Sequence, residues 1–524
     1  MSLSGASATT PLTVALAGIV ATIAISSFKR WTRTRKPYAF IPGPDPDSVA
    51  GYLLDLHNPD GLDWHYSMPE KYGHIARLKG GLFMADALYI TDPAALNSIL
   101  IKQQNWFPES TEFAGRVSKL TPLFYEVTRQ LQSKLTAAVA GKPPGQVVEM
   151  LDYLTRTTLE IVGTAGIGHT FNSFDDKSKT FEEFHGAITT TIGRQAVPIS
   201  TIPRVVEENE TPCGCGEPLH PSLHFSGRRW PRAAIYVMRP VYLMLYKARQ
   251  KVLEEGGSAA LAETPAGGKD LMSSMIQANW DADEADKMPD DVVLANMGSI
   301  VHGGQETTSS SLARFLTIVA EDSDLQQKLR AELQEAKAKK APGEDLDYVE
   351  IERLPLLDAV VREMLRVYAP VTFVWRQTTK DVLVPLTYPI RSATTGEEIK
   401  ELLIEQGTAV YLGLGAANRS TAIWGPDAAE FKPERWLNRT QLEAKLPGAY
   451  SGMMTFLSGA KVCPGRIFAI LEMKLILSVL LLAFSFDPIS EPIDWQMGIA
   501  IEPRVHGREK EGIQVPVCVT TLSV

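Results

Sequence analysis

Cys463 lies in the stretch Phe456-Leu-Ser-Gly459-Ala-Lys461-Val-Cys463-Pro464-Gly465-Arg466, directly before a long apolar run. A single cysteine held in a glycine-rich loop can present a thiolate to iron. The loop's free backbone N–H groups can stabilise the charge on its sulfur. Gly459 and Gly465 let the backbone approach a flat macrocycle, and the ring of Phe456 can shield the sulfur from water. A buried structural cysteine is the ordinary alternative, and Cys463 taken alone would belong there. The neighbours at these spacings favour the metal ligand.

A second constellation is Gly303-Gly304-Gln305-Glu306-Thr307-Thr308, inside a long helical pattern. Two glycines there cost roughly 1 kcal/mol each relative to alanine, so something must require them. Close helix packing is one answer, and room for a ligand is the other. His302 lies four residues before Glu306 on the same face, where a packed or partly solvated histidine is the ordinary reading. Glu363 and Arg366 stand three apart on another helix, a spacing that by itself means a surface ion pair. Downstream come Asn418-Arg419, Trp424-Gly425-Pro426-Asp427 and Phe431-Lys-Pro433-Glu434-Arg435-Trp436. Cys213 and Cys215, with His220 nearby, lack a second ligand pair at zinc-like spacing and read as a solvated loop. Cys518 reads as a core residue of a strand.

The cysteine loop, with Phe, Gly three on, Cys four after that and Gly two beyond, resembles the signature of the cytochrome P-450 family. The other motifs follow in that family's order, and the resemblance covers nearly everything after the N-terminus. It implies a mainly α fold with small β elements and haem b (iron protoporphyrin) as cofactor, with Cys463 as the axial ligand of the iron. Phe456, Gly459, Lys461, Gly465, Arg376, Gly303 and Gly304 would surround the haem, Arg376 and Lys461 facing its propionates. Lys461 stands where the family usually has arginine, and offers a cation without the bidentate fork. The resemblance also implies a locally widened helix beside Gly303 and Gly304, with room for dioxygen. Thr307 would hydrogen-bond that dioxygen and Glu306 would help relay protons. Glu363, Arg366 and Arg435 would form a buried structural network.

The implied reaction inserts one oxygen atom from dioxygen into an apolar small molecule. Electrons would come from a membrane-bound NADPH-dependent flavoprotein reductase. A haem-thiolate isomerase or dehydratase is the alternative enzyme. The sequence departs from the family at its Trp-x-x-x-Arg helix, because Trp106 is followed four places on by Ser110. Only a short stretch separates Pro108 from Leu120, so a segment of haem wall is expected to be missing, and Arg116 is the nearest substitute cation. Without that segment a non-functional product is a further alternative.

The elements that must position these groups are mostly helices. Amphipathic runs cover Leu120 to Ala140 and Met150 to Gly163, and a long helix is expected from Pro289 to Glu321. Further helices are expected over Ser323 to Lys339, Leu357 to Tyr368 and Arg466 to Phe484. Strand character marks Ile75 to Leu78, Ala87 to Thr91, Val382 to Gly413 and Gly512 to Val519. Residues 204–232 show no period and read as a long loop or insertion.

The chain has 524 residues, 44% of them apolar, with a formal charge of −9. That balance argues against nucleic acid as a partner. Four cysteines make no disulfide framework and suit a body in a reducing compartment. Leu12 to Phe28 is uncharged and apolar, and Lys29, Arg30, Arg33, Arg35 and Lys36 follow. Seventeen residues sit at the short end of a transmembrane span. A cleaved signal normally carries positive charge before its apolar run, and a mitochondrial presequence is Arg-rich at its start. The positive-inside rule therefore keeps the body behind a single-pass anchor on the cytosolic side, and the family resemblance implies the endoplasmic reticulum membrane. The expected organisation is residues 1–28 as anchor segment, 29–48 as a basic, Pro-rich linker, and 49–524 as the haem-binding domain.

Overall fold

A computed structural model describes residues 38–46, 51–80, 85–102, 118–175, 178, 230–260, 268, 270–283, 287–437, 446–498 and 500–522. Its principal helices are α1 (Leu62–Tyr72), α2 (Thr121–Val139), α3 (Met150–Ile161), α4 (Trp230–Ala260), α5 (Leu271–Asp281), α6 (Asp290–Glu321), α7 (Ser323–Lys337), α8 (Pro355–Val367) and α9 (Arg466–Ala483). Its strands are β1 (Ile75–Leu78), β2 (Ala87–Ile90), β3 (Gln146–Glu149), β4 (Phe373–Gln377), β5 (Val382–Arg391), β6 (Glu398–Ile404), β7 (Ala409–Gly413), β8 (Phe484–Asp487), β9 (Ile493–Met497), β10 (Ile501–Val505) and β11 (Pro516–Thr521). The mainly helical fold with small sheets matches the expectation.

α6 is the axis of the molecule, about 48 Å long at 1.5 Å per residue. Pro289 caps it without needing an N–H, and Asp290 and Asp291 sit at the positive end of its dipole. Its second half is apolar on every side that matters: Leu312, Phe315, Leu316 and Val319 have no exposed surface. α9 is more apolar still, and joins the same core through Leu471, Leu475, Ile476 and Leu480. α3 continues into a π-helical turn, Val162–Gly166, that packs against α6. Gly163 fits there because a Cβ would fall 2.6 Å from the ring of Phe171.

One four-stranded sheet runs β1-β2-β7-β4. β1 and β2 pair antiparallel, β2 and β7 run parallel, and β7 and β4 antiparallel, with Arg376 opposite Val410. β5 and β6 form a hairpin, β9 and β10 another, and β3-β11-β8 a three-stranded sheet.

The folded body begins earlier than residue 49. Tyr38 and Ile41 are buried in the main core, and the Tyr38 hydroxyl accepts from the Glu405 N–H at 3.0 Å. Arg77 N–H donates to the Pro42 carbonyl at 2.9 Å, so this proline-rich stretch is docked along β1. At the other irregular stretch, Trp230 to Arg232 already belong to α4; residues 204–229, with Cys213, Cys215 and His220, lie outside the described residues. Cys518 is in its strand but half-buried, because its side of β11 is not covered by the core. Among the described residues no helix is long and apolar enough to cross a membrane, and Leu12 to Phe28 lies outside them.

Candidate functional site

The cysteine loop is built by local hydrogen bonds. Cys463 N–H donates to the Phe456 carbonyl at 2.9 Å, and Val462 N–H to the Gly459 carbonyl at 3.0 Å. The fold-back needs two left-handed residues, Leu457 at φ 57° and Gly459 at φ 64°. Leucine in that region carries strain, which the surrounding contacts must hold. Leu457 is fixed on both sides, donating to Met454 and accepting from Ala449 at 2.9 Å each. Cys463 then stands just before α9, where the positive end of the helix dipole favours a thiolate. A side chain at Gly465 would lie 3.8 Å from the sulfur. Phe456 is buried, with its ring edge-on to Tyr450 at 5.8 Å. Lys461 is exposed at the end of a 3-10 turn.

The two glycines of α6 have different tasks. A Cβ at Gly304 would fall 2.8 Å from Val162 Cγ2, so this glycine permits close packing. A Cβ at Gly303 would meet nothing within 4 Å, so this one faces open space. Thr307, one turn later, donates its hydroxyl to the Gly303 carbonyl at 2.7 Å. The widened turn expected here is absent: α6 is regular α-helix throughout. The Thr307 hydroxyl follows the helix and bonds the carbonyl one turn back, and the π-helical turn lies on the neighbouring element instead.

Glu306 is mostly buried, with Oε2 lacking a hydrogen-bond partner. Burial, helped by the nearby Glu502 carboxylate, pushes its pKa up to about 7. His302 Nε2 is 3.8 Å from that oxygen. Burial also lowers the His302 pKa, so the imidazole is neutral at pH 7 and the two form no ion pair. His302 is thus a packed histidine, as expected.

Glu363 and Arg366 are fully buried and joined by two bonds of 2.8 and 2.7 Å. The remaining donors of Arg366 reach the carbonyls of Asn418, Ala428 and Glu430 at 2.7, 2.6 and 3.1 Å. All five guanidinium donors are therefore used. Glu363 also accepts from Trp436 Nε1 at 2.8 Å and from Lys432 N–H at 3.0 Å. Arg435 completes the network as an ion pair, with Nε 3.5 Å from Glu363 and no hydrogen bond to it. Its bonds go to the Trp424 carbonyl and to Asp427, whose carboxyl the Arg435 and Lys432 cations hold down at about 2.

The network reaches the cysteine loop through Asn418. Its side chain accepts from Met454 N–H at 2.7 Å and donates to Thr455 at 2.9 Å. Asn418 and Trp436 as partners, and Glu502 beside Glu306, were not singled out in the sequence. The only signal for the first two was their place in the Asn-Arg and Phe-x-Pro-x-Arg-Trp motifs, and Glu502 had none.

Arg376, on β4, is half-buried and in no ion pair among the described residues. Partial burial without a carboxylate lowers its pKa and leaves a cation short of an anion. Trp106, Ser110 and Arg116 lie outside the described residues. A thiol at a helix N-terminus, a glycine facing open space and an uncompensated arginine fit a flat, anionic macrocycle with a soft-ligand metal. The residues present therefore suit a haem.

Comparison with known proteins points the same way. The cytochrome P450 family model matches residues 237–504. Cytochrome P450 monooxygenase 91 of Postia placenta is 35% identical over 510 residues, covering 88% of this chain and 90% of the relative. Monooxygenase 81 of the same fungus is 31% identical over 544 residues, covering 97% of each. A ganoderic acid synthetase of Ganoderma lucidum is 31% identical over 517 residues, covering 90% of this chain and 91% of the relative. Each alignment is longer than the part of this chain that it covers, so these relatives carry residues with no counterpart here. The chain belongs to the cytochrome P450 family of haem-dependent monooxygenases.

Proposed function

We propose that this enzyme oxygenates an apolar small molecule at a haem held by Cys463, on the cytosolic face of the endoplasmic reticulum membrane. A membrane-bound NADPH-dependent flavoprotein reductase supplies the two electrons. One oxygen atom enters the substrate and the other leaves as water, consuming two protons. The haem, when bound, supplies the activation of dioxygen. The observation that carries the reading is the Cys463 thiol at the start of α9, in a loop whose strained Leu457 is hydrogen-bonded on both sides.

The chain's own residues divide the remaining work. Cys463 would hold the metal as a thiolate, its charge favoured by the N-terminal dipole of α9. Arg376 and Lys461 would supply cations to the propionates. Gly303 leaves open space beside α6, and Gly304 keeps α6 close to Val162. Phe456 excludes water from the cysteine loop. Glu306 holds a proton near neutral pH because its surroundings disfavour its charge. Thr307, donating to the Gly303 carbonyl, keeps lone pairs that can accept from that acid. An isomerase or dehydratase would need no such proton store, and Glu306 is what favours the monooxygenase.

The test is the absorption spectrum of the reduced, carbon-monoxide-bound protein. Cys463→Ala should abolish the red-shifted thiolate band, while Cys518→Ala keeps it. A thiolate spectrum that survived Cys463→Ala would show the ligand assignment to be wrong.

A further inference from the structure

We propose that Glu502, on β10, is a positioning residue for proton delivery: it holds a second carboxylate beside Glu306 and so keeps Glu306 in its acid form until the reaction draws the proton. The inference rests on the reading of Glu306 as proton carrier and adds the group that sets its charge.

The β9–β10 hairpin is pinned to α6 at the level of Glu306. Ser310, one turn beyond Glu306 on the same face, donates its hydroxyl to the Ile501 carbonyl at 2.6 Å. Ile501 N–H donates to the Pro370 carbonyl at 2.9 Å, tying the start of β10 to the segment after α8. Glu502 is the next residue. Its carboxylate lies over Gly498, where a Cβ would fall 2.1 Å from Oε1. The glycine thus makes room for a carboxylate that is otherwise enclosed. The side chains of Glu306 and Glu502 are 14% and 12% exposed. Two nearby carboxylates with so little water cannot both be charged cheaply.

Arg504 breaks the tie between them. Burial raises the Glu502 pKa, and the Arg504 guanidinium, 3.4 Å from Oε2, offsets part of that rise. Among the described residues Glu306 forms no ion pair with a lysine or arginine. Its neighbours are the neutral His302 on α6, Gln305, whose carbonyl accepts from Thr158 on α3 at 3.1 Å, and the Val162–Gly166 turn, which has no titratable side chain. Of the pair, Glu502 keeps the charge and Glu306 takes the proton. The charge on Glu502 adds to burial in raising Glu306 to about 7.

The test uses the full-length, haem-loaded enzyme with its reductase. Product formed per NADPH consumed is measured against pH, together with the infrared band of the protonated Glu306 carboxyl. Glu306→Gln should remove the band and flatten the profile. Glu502→Gln keeps the shape but loses the charge, so both the band and the coupling should titrate at lower pH. Glu502→Asp, whose charge is retained one methylene away, should fall between the two. An unchanged haem spectrum shows that each variant is folded, and if Glu502→Gln fails that control the Asp variant decides. Should the Glu306 band titrate in its wild-type place when Glu502 is altered, Glu502 does not set it and the inference fails alone. Should Glu306→Gln itself leave the profile as it was, the proton-carrier reading fails with it.

Discussion

The molecule buries charge in two places and treats it in opposite ways. Every donor of the Arg366 guanidinium and both oxygens of the Glu363 carboxylate are matched, at zero solvent exposure. Around Glu306, the side chains of His302, Gln305, Glu306 and Thr308 each leave a buried polar atom without a hydrogen-bond partner among the described residues. A matched network fixes geometry and has no capacity left for chemistry. An unmatched one costs stability and is kept where a reaction uses it. The first cluster holds the cysteine loop in place through Asn418, and the second lies along α6 beside Gly303.

The sharpest way to break this contrast is to unbalance the matched cluster. Arg366→Ala leaves the Glu363 charge and three carbonyls buried without their partner. A buried ion pair broken on one side costs about 3–5 kcal/mol. The expected outcome is a protein that no longer retains haem at physiological temperature, read by thermal unfolding and by the Soret absorbance. Stability within 1 kcal/mol of wild type would mean that the network is ornamental.

The opposite change should relieve the unmatched cluster. Glu306 has its pKa raised from 4.5 to about 7 in the folded state. The folded protein therefore binds its proton more tightly than the unfolded chain. The advantage is fully present below pH 4.5 and is lost as pH rises to about 7, up to about 3 kcal/mol. In Glu306→Gln that loss disappears, so the variant should gain on wild type across this window and stay ahead above it. Denaturant midpoints at pH 5 and pH 8 measure the difference. Parallel midpoints for the two proteins would show that Glu306 is not strained in the fold.

Asn418 joins the matched cluster to the cysteine loop and predicts a smaller effect. Asn418→Ala strands the buried Met454 N–H and leaves the Thr455 hydroxyl only its bond to the Leu365 carbonyl, a cost of about 1–3 kcal/mol. The loss should fall on the cysteine loop. Hydrogen exchange at Met454 to Leu457 should quicken more than exchange in α9.

Legibility in the sequence followed how local each feature is. The cysteine loop and α6 were readable because their glycines, caps and periodicity lie within one stretch of chain. The Glu363–Arg366 pair was readable as a motif, but three of its acceptors are carbonyls of Asn418, Ala428 and Glu430. Backbone acceptors leave no mark on residue type. Arg435 was expected to complete this network and does so as an ion pair with Glu363, while the hydrogen bonds from Trp436 and the Lys432 N–H were not foreseen. Glu502 was invisible, since it reaches Glu306 only through a bond between Ser310 and Ile501, 191 residues apart. Residues 38–46 read as a stiff, proline-rich linker, because prolines that stiffen a linker also suit a strand edge, and the docking of Tyr38 and Ile41 into the core was not legible.

The smallest effect tests the contrast at the resolution of one residue. Gly303 and Gly304 are adjacent on one helix, and helix propensity assigns each replacement by alanine a gain of roughly 1 kcal/mol. At Gly303 the new methyl group meets open space, so the gain should be realised and unfolding should shift upward. The same methyl group enters the region assigned to haem and substrate, so the substrate-induced spectral shift should weaken. At Gly304 the methyl group arrives 2.8 Å from Val162 Cγ2, closer than carbon atoms tolerate. Val162 begins a π-helical turn and has little freedom to retreat, so the packing strain should cancel or exceed the propensity gain. Gly304→Ala with Val162→Ala should recover the lost stability, because the double change removes the clash. If both glycine variants shifted unfolding equally and in the same direction, the two positions would be equivalent, and the separation of packing face from reaction face along α6 would not hold.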